Sequence, residues 1–299
     1  MIVRQTPDGV EVLAPAKLNL FLEILGKRPD GYHEIETLMV AVNLHDRLTF
    51  ADDPSGAVTL TCDDPRLPTD RSNLVVKAAE RLKASTGSSK GATITLNKVI
   101  PAEAGLAGGS SDAAATLVGL DRLWGLNTSV DQLGSMAAEV GSDVAFFLQG
   151  PAAICRGRGE QVEPLSLKSS LHFVLVCPPV GVSTADVYRS LTPPERPRSI
   201  GAVIEALDHG GPAALGRSLF NRLQPTAETI RPALTRVRDA LAELSHDLEF
   251  SPPLLEGHLM SGSGSAYFGL ARDLNAANLA AERLETLGLG SVRVITCGP

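Results

Sequence analysis

The sequence has little of what disulfide-rich, zinc-binding or membrane-embedded proteins require. Its 299 residues include four cysteines, and no two of them have the C-x-x-C spacing of a zinc or redox site. We therefore expect buried, unreactive thiols. No apolar run approaches the roughly 18 residues of a membrane span, and the first residues contain no apolar segment typical of a signal peptide. The expected compartment is the cytoplasm, and a membrane is not an expected partner.

Clustered positive charge is also missing. The chain has 34 acidic and 27 basic residues, a formal net charge of −7, and no basic run. Nucleic acid is therefore not an expected partner, since nucleic-acid-binding proteins cluster lysine and arginine on one surface. An acidic protein can still bind a small phosphate compound, because that needs local amides and a few cations. The length and the 43% hydrophobic content are typical of a globular protein with two domains.

Glycine is concentrated in one loop, residues 101–112, which reads PAEAGLAGGSSD. A strand-like alternation over 92–100 precedes it, and Ala113, Leu117 and Trp124 lie on one face of the helix predicted after it. Glycines and the free amides of a helix N-terminus together favour phosphate binding. We expect Ser110 or Ser111 to cap this helix. The spacing matches neither a dinucleotide fingerprint nor a Walker loop, and an ordinary Gly-Ser turn is the alternative.

Two polar positions interrupt apolar surroundings. Lys17 and Asn19 lie two residues apart, hence on one face of a strand whose apolar alternation continues over 18–25. They could belong to a solvated edge strand, or present a cation and an amide to a substrate. Asp143 precedes an apolar run and could cap a helix or act as a general base. Placed near Lys17, its charged form would be stabilised for taking a proton from a hydroxyl.

The remaining pattern alternates between strands and helices. We predict strands over 10–13, 35–44 and 48–50, a helix from 72 to 83, and a helix that starts at Ser129 or Asp131 and ends at 140. One longer helix is predicted over 226–244 and contains Pro232. The polar stretch 164–170 suggests a boundary between domains at 1–163 and 164–299. Near the end, a strand, a helix over 274–287 and a strand over 291–295 indicate a ferredoxin-like half-unit or half of a doubly wound sheet.

Five motifs resemble those of the GHMP kinase superfamily. They are residues 15–20 (PAKLNL), 28–34 (RPDGYHE), 105–114 (GLAGGSSDAA), 141–144 (GSDV) and 261–264 (SGSG). The resemblance covers nearly the whole chain. Family patterns often have glycine where Ala107 stands and proline where Ala145 stands. The second motif is specific, within the superfamily, to a kinase whose acceptor carries a cytidine diphosphate.

This resemblance implies an α/β (α+β) fold of two domains, an N-terminal nucleotide-binding domain and a C-terminal ferredoxin-like domain, with the active site in the cleft between them. It implies ATP-dependent phosphorylation of a hydroxyl in the non-mevalonate route to isoprenoid precursors. Mg²⁺ would accompany ATP. The sequence shows no carboxylate pair dedicated to the metal, so Ser110, Ser111 or water would be its ligands. The chain would act as a monomer or homodimer. Mevalonate kinase, homoserine kinase and a non-enzymatic nucleotide-binding protein are the alternatives.

The resemblance also implies roles for individual residues. Asp143 would be the base for the acceptor hydroxyl, with Lys17 as its partner and Asn19 beside them. Tyr32 would hold the cytosine by stacking and His33 by hydrogen bonding.

On the same side of the site, Tyr188 would be a second stacking ring and Thr184 would face the substrate. Asn73 lies where the family contacts adenine. The residues implied around the ATP phosphates are Pro101, Gly105, Leu106, Ala107, Gly108, Gly109, Ser110 and Ser111. The C-terminal Gly-Ser loop of the superfamily corresponds to Ser261, Gly262, Ser263 and Gly264.

Overall fold

The computed structural model describes residues 1–246 and 252–298, and the strands of these residues form one eight-stranded and one four-stranded sheet. The strands are β1 (Ile2–Thr6), β2 (Gly9–Lys27), β3 (His33–Asp53), β4 (Val58–Cys62), β5 (Gly91–Asn97), β6 (Ala152–Gly157), β7 (Gln161–Leu165), β8 (Leu171–Cys177), β9 (Phe220–Asn221), β10 (Leu255–Met260), β11 (Tyr267–Ala271) and β12 (Ser291–Cys297). The two-sheet, mixed helix and strand architecture agrees with the expected α/β (α+β) fold.

Helices pack against both sheets. They are α1 (Leu74–Thr86), α2 (Gly108–Trp124), α3 (Val130–Val140), α4 (Thr184–Ser190), α5 (Gly201–Glu205), α6 (Gly211–Ser218), α7 (Gln224–Ile230), α8 (Leu234–His246) and α9 (Leu274–Glu285). The single long helix predicted over 226–244 is wrong, because the chain turns at Arg231 and Pro232 and forms α7 and α8 instead. Nowhere in the described ranges does a helix have the length and apolar character to cross a membrane.

Two long antiparallel strands organise the first sheet. β2 pairs with β3 from Val10 opposite Phe50 to Lys27 opposite His33. The separate strands predicted over 10–13 and 18–25 are therefore one strand, and a register shift at Pro15 accommodates the proline. One half of β3 also pairs with β5 and the other half with β6. The sheet thus divides around β3 and holds the middle of β2 at its centre.

The middle of β2 is buried on both faces, which its alternating sequence does not indicate. Phe21 is 3% exposed and Glu23 is fully buried, although both alternate with the apolar residues of the strand. The C-terminal half of the chain covers this second face: β9 pairs with β2, and Arg222 forms an ion pair with Glu23 at 2.7 Å. This packing encloses the segment that carries Lys17 and Asn19.

In the first half of the chain, α2 lies close against the sheet. A Cβ atom built on Gly119 would lie 2.4 Å from Cε2 of Phe50, so glycine lets the helix approach the strand. The predicted apolar face of α2 is confirmed, since Ala113, Leu117 and Trp124 are buried. This contact fixes the direction of α2 and brings its N-terminus to the edge of the sheet.

The second sheet has the strand order β10-β11-β8-β12 and is wholly antiparallel. β11 and β12 flank β8 and run parallel to each other, with α9 connecting them. Two parallel strands that are joined by a helix and have a third strand between them form the split β-α-β unit of ferredoxin-like folds. The alternative of a doubly wound sheet, which requires mainly parallel pairs, is excluded for this half.

The cysteines behave as predicted from their spacing. All four are free, and Cys155, Cys177 and Cys297 are buried. Burial is the main cause that raises the pKa of the Cys177 thiol to about 11 and that of Cys297 to about 12. These thiols are therefore protonated and unreactive at neutral pH.

Candidate active site

A cleft of about 1240 Å³ is lined by β2, β3, the glycine-rich loop, the turn after α3, α4 and the C-terminal Gly-Ser loop. Most of the residues that the sequence singled out line it: Lys17, Asn19, Tyr32, His33, Asn73, Pro101, Gly105, Leu106, Ala107, Gly108, Gly109, Ser110, Asp143, Thr184, Tyr188, Gly262 and Ser263. Ser111, Ser261 and Gly264 lie behind this wall, and the two serines are fully buried. Residues from distant parts of the sequence therefore meet in one space.

Lys17 and Asn19 form a buried pair at the centre of the cleft. Each is only 3% exposed, so the alternative of a solvated edge strand is wrong. The Lys17 ammonium donates a hydrogen bond to Oδ1 of Asn19. Nδ2 of Asn19 donates to Oγ1 of Thr37 at 2.8 Å, and Thr37 donates to the carbonyl of Phe21 at 2.6 Å. This chain of hydrogen bonds holds the ammonium in one orientation.

Electrostatics distinguish Lys17 from an ordinary lysine. Burial lowers its pKa from 10.5 to about 8, and the nearby negative charge of Asp143 opposes that shift. The side chain is therefore mainly protonated at neutral pH, but it titrates within the range at which enzymes are assayed. Placing Lys17 within the field of Asp143 is a result of folding, because 126 positions separate the two residues in the sequence.

Asp143 lies in the turn that follows α3. The short 3₁₀ turn Ala145–Leu148 begins after Val144 without a side-chain cap, so the capping alternative for Asp143 is wrong. Its Oδ1 faces the turn between β6 and β7, where a Cβ atom on Gly159 would lie 3.2 Å away. Among the described residues, none donates a hydrogen bond to this carboxylate. It lines the cleft with both oxygens available to a ligand.

The two glycine loops meet beside Lys17, backbone against backbone. The amide of Lys17 donates to the carbonyl of Leu106 at 3.1 Å, and Oγ of Ser261 donates to the carbonyl of Gly105 at 3.0 Å. Gly105 has a φ of 72°, and a Cβ atom there would lie 2.0 Å from the carbonyl oxygen of Ser261. Ser261 thus supports the glycine-rich loop from behind, a role that its sequence motif did not indicate.

The glycine-rich loop leads directly into α2, but not in the predicted manner. The residue before the helix is Ala107, which has a φ of 55° and makes no capping hydrogen bond through its side chain. The prediction that Ser110 or Ser111 caps the helix is wrong, because the helix begins at Gly108 and includes both serines in its first turn. The amides of Gly108, Gly109 and Ser110 precede the first intrahelical bond, which Ser111 donates to the carbonyl of Ala107 at 3.0 Å, and they are available to an anion.

At the same end of the cleft, the side chain of Asn73 caps α1. Its Oδ1 accepts a hydrogen bond from the amide of Val75 at 2.9 Å, and its Nδ2 donates to the carbonyl of Pro68 at 2.7 Å. The predicted start of α1 near residues 72–73 is confirmed. The capping bonds hold Asn73 in place on the wall of the cleft.

Aromatic rings gather on another part of the cleft wall. The rings of His33 and Tyr188 are 5.3 Å apart between centroids and tilted by 38°. Tyr32 is 53% exposed, and the guanidinium carbon of Arg158 lies 5.0 Å from its ring centroid. Burial, followed by the charge of Lys27, lowers the pKa of His33, so its imidazole is neutral at pH 7. A neutral imidazole offers one hydrogen-bond donor and one acceptor.

Thr184 joins this part of the cleft wall to the C-terminal Gly-Ser loop. Its hydroxyl lies 2.7 Å from the hydroxyl of Ser263, and it begins α4, the helix that carries Tyr188. Burial raises the pKa of Tyr188, and the charge of Asp143 raises it further. The phenol of Tyr188 is therefore neutral at pH 7 and lies within the field of Asp143.

One ionic cluster in the cleft wall was missed at the sequence level. The Lys98 ammonium donates to Asp46 and, at 2.8 Å, to Oδ2 of Asp112. Asp46 also accepts the amides of Val99 and Ile100, at 2.6 and 2.8 Å. Burial raises the pKa of Asp112 to about 7, although the Lys98 charge opposes the shift. The only sequence signal was that charged residues flank the glycine-rich loop on both sides.

Comparison with known proteins agrees with this architecture. The family model of the GHMP kinases N terminal domain matches residues 73–151, and that of the GHMP kinases C terminal matches residues 203–288. A crystal structure of homoserine kinase from Cytophaga hutchinsonii superposes with a TM-score of 0.78 at 23% identity, covering 100% of this chain and 98% of that one. At that identity the likeness concerns the fold alone.

Sequence identity separates the members of this fold. A crystal structure of 4-(cytidine 5'-diphospho)-2C-methyl-D-erythritol kinase has the same TM-score of 0.78 but 37% identity, over 97% of this chain and 99% of that one. The 4-diphosphocytidyl-2-C-methyl-D-erythritol kinase of Pelotomaculum thermopropionicum is 43% identical over 92% of this chain and 93% of its own. The enzyme with that name from Bacillus mycoides is 40% identical over 87% of each chain. Since such identity extends over nearly the whole length, this chain belongs to the 4-diphosphocytidyl-2-C-methyl-D-erythritol kinase family within the GHMP kinases.

Proposed function

We propose that this chain transfers the γ-phosphoryl group of ATP to the 2-hydroxyl of 4-diphosphocytidyl-2-C-methyl-D-erythritol, producing the 2-phosphate and ADP. This reaction belongs to the non-mevalonate pathway of isoprenoid precursor synthesis. The observation that supports it best is that one cleft is lined by a helix N-terminus, by aromatic rings and by Lys17, which lies in the field of Asp143. Such a combination suits a phosphoryl donor, a reaction centre and a base-bearing acceptor.

In the proposed mechanism, Asp143 accepts the proton of the acceptor hydroxyl. The hydroxyl oxygen then forms a bond to the γ-phosphorus while the bond from that phosphorus to the oxygen of ADP breaks. The Lys17 ammonium stabilises the charged carboxylate and the negative charge on the transferred group. Asn19 holds the ammonium in position through the bond from Lys17. Catalysis of phosphoryl transfer depends mainly on such positioning and charge stabilisation.

On the ATP side, we propose that Pro101 and residues 105–111 surround the phosphates. The unpaired amides at the start of α2 and its positive dipole end attract the anion. Asn73 lies beside the apolar Leu67, Pro68 and Leu74, a setting that suits the adenine ring. The two glycine loops support each other there through the contact of Gly105 with Ser261.

Mg²⁺ would be held here mainly by the phosphates of ATP. Among the described residues, no three histidine, cysteine, aspartate or glutamate side chains are grouped to hold a metal ion. Ser110 lines the cleft, and the buried Oγ of Ser111 has no hydrogen-bond partner, so hydroxyl oxygens of the kind that suit Mg²⁺ are present at the start of α2. When bound, the metal would neutralise part of the charge on the phosphates.

On the acceptor side, we propose that Tyr32 and Tyr188 contact the cytosine ring and that His33 reads its edge. The neutral imidazole of His33 can donate one hydrogen bond and accept another, which suits the mixed edge of cytosine. Thr184 would face the polyol, since its hydroxyl is held near Ser263 on the far wall. We also propose that the domains divide at 163/164 and that the enzyme works in the cytoplasm, as a monomer or homodimer.

An assay of ADP release with three acceptors tests the proposal. The wild-type chain should phosphorylate the cytidyl substrate and neither mevalonate nor homoserine. Asp143→Asn should lower turnover by about 10² to 10⁴, because this is the usual contribution of a general base. ATP affinity, measured by calorimetry, should stay within a few-fold of the wild-type value.

A matched control is Asp131→Asn, at an exposed position in the first turn of α3. This variant removes one carboxylate from the same part of the chain and should keep full turnover. Near-normal turnover of Asp143→Asn would refute the role of Asp143, whereas activity on homoserine or mevalonate alone would refute the choice of acceptor.

A further inference from the structure

Arg158 is a cation of the cleft that the sequence motifs do not account for. It lies in the turn 157–160 between β6 and β7, and its side chain lines the cleft. Gly157 and Gly159 have φ values of 74° and 122°, which side-chain-bearing residues rarely adopt. The amide of Arg158 donates to Oε2 of Glu160 at 2.6 Å. The turn is therefore tightly constrained and presents Arg158 in a fixed place.

The turn places Arg158 close to Tyr32 and next to Gly159, which contacts Asp143. Tyr32 and Asp143 are proposed to contact opposite ends of the acceptor. Its guanidinium carbon lies 5.0 Å from the ring centroid of Tyr32. The next residue, Gly159, packs against Asp143, with 3.2 Å between its built Cβ and Oδ1 of the carboxylate. Arg158 thus lies between the proposed base pocket and the proposed general base.

Its charge is less neutralised than that of neighbouring arginines. Among the carboxylates of residues 1–246 and 252–298, the closest approach is 3.8 Å, from Nε to Oε2 of Glu160, which is too long for a hydrogen bond. Arg156, two residues earlier, donates to Glu36 at 2.9 Å and to Glu163 at 2.7 Å. No acceptor within the described ranges receives a hydrogen bond from the Arg158 guanidinium. Its donors are therefore available to a ligand.

We propose that Arg158 binds the diphosphate of the acceptor substrate. This inference rests on the proposed function, in which the acceptor is a cytidine joined through a diphosphate to the polyol that is phosphorylated. The diphosphate must then lie between the base pocket at Tyr32 and the hydroxyl at Asp143, and Arg158 occupies that interval. A guanidinium binds phosphate oxygens through parallel N–H bonds. Its contact with Tyr32 also holds that ring in position for the base.

Binding of cytidine, CMP and CDP, measured by calorimetry, tests this proposal without relying on turnover. Wild-type affinity should rise with each phosphate. Arg158→Met should lower the affinity for CDP about 10-fold to 150-fold, as expected for hydrogen bonds to a charged group. Cytidine affinity should fall by no more than about 5-fold, through the lost contact with Tyr32. The CDP affinity of Arg158→Lys should lie between those of the wild type and Arg158→Met, because lysine keeps the charge but not the planar arrangement of donors.

The control variant is Arg156→Met, which removes the same charge from a side chain already paired with two carboxylates. It should leave the cytidine and CDP affinities unchanged. In steady state, Arg158→Met should raise the KM for the cytidyl substrate by the factor seen for CDP and leave the KM for ATP unchanged.

Equal losses of cytidine and CDP affinity in Arg158→Met would overturn the proposal and show that Arg158 only supports Tyr32. Unchanged CDP affinity would overturn it as well. These results are distinct from failure of the proposed function, in which the wild-type chain itself would neither bind CDP nor phosphorylate the cytidyl substrate.

Discussion

Replacing Lys17 by methionine should make the folded chain more stable at neutral pH while abolishing its activity. Methionine has a similar length and shape without the charge, so it can occupy the same buried site. Lys17 is 3% exposed, and burial lowers the pKa of its ammonium from 10.5 to about 8. Because one pKa unit corresponds to about 1.4 kcal/mol, keeping this group charged in the folded state costs about 3 kcal/mol.

Removing this charge stabilises the folded chain, but part of the stabilisation is lost again. Methionine cannot donate to Oδ1 of Asn19, and a buried acceptor left without its donor costs about 1 to 3 kcal/mol. We therefore expect a net stabilisation of up to about 2 kcal/mol at pH 7. For a chain of this size it corresponds to a rise in Tm of up to about 8 °C.

The dependence on pH gives the sharper test. Below about pH 8 the amine is protonated in the folded and the unfolded chain, so the wild type bears the full cost of the buried charge. Between about pH 8 and 10.5 the folded chain has released this proton while the unfolded chain still binds it. Wild-type stability therefore rises relative to the variant over that interval, by about 2 to 3 kcal/mol in total.

Urea unfolding of both proteins at pH 7 and pH 10 measures this difference. Lys77→Met, at an exposed position of α1, controls for the loss of one positive charge. A stability difference between wild type and Lys17→Met that is the same at both pH values would refute the reasoning. Wild-type turnover should also decline above about pH 8, as Lys17 loses the charge that acts on the phosphoryl group.

Two further substitutions test the walls of the cleft. Gly105→Ala should weaken ATP binding at least about 10-fold and lower Tm, because the new Cβ would lie 2.0 Å from the carbonyl of Ser261. Gly109→Ala in the same loop, where the nearest atom is 3.8 Å away, should keep its Tm, and equal melting of the two variants would contradict the packing argument. Tyr32→Ala should raise the KM for the cytidyl substrate about 5-fold to 150-fold through lost stacking, with the KM for ATP unchanged. Steady-state kinetics with both substrates decide this, and equal effects on the two would remove Tyr32 from the base pocket.

Local sequence signals predicted many elements correctly because they arise from short-range physics. The face of α2 that carries Leu117 and Trp124 followed from helical periodicity. The predicted start of a helix at Ser129 is confirmed, and in the structure Ser129 and Gln132 form a capping box there. Errors arose where neighbouring structure overrides a local preference. The serines at 110 and 111 are good caps, yet the helix starts earlier, because the backbone turns at Ala107.

The sequence by itself determined the family, the set of site motifs and the residues that carry them, because motifs are local and their spacing is readable along the chain. Only the tertiary structure decided which of these residues meet. Burial of Lys17, which sets its pKa near 8, results from the C-terminal half covering the second face of β2. The proximity of Asp143 to Lys17 and of Arg158 to Tyr32 likewise depends on strand pairing. Burial and through-space charge depend on contacts between residues far apart in sequence, and no local pattern encodes them.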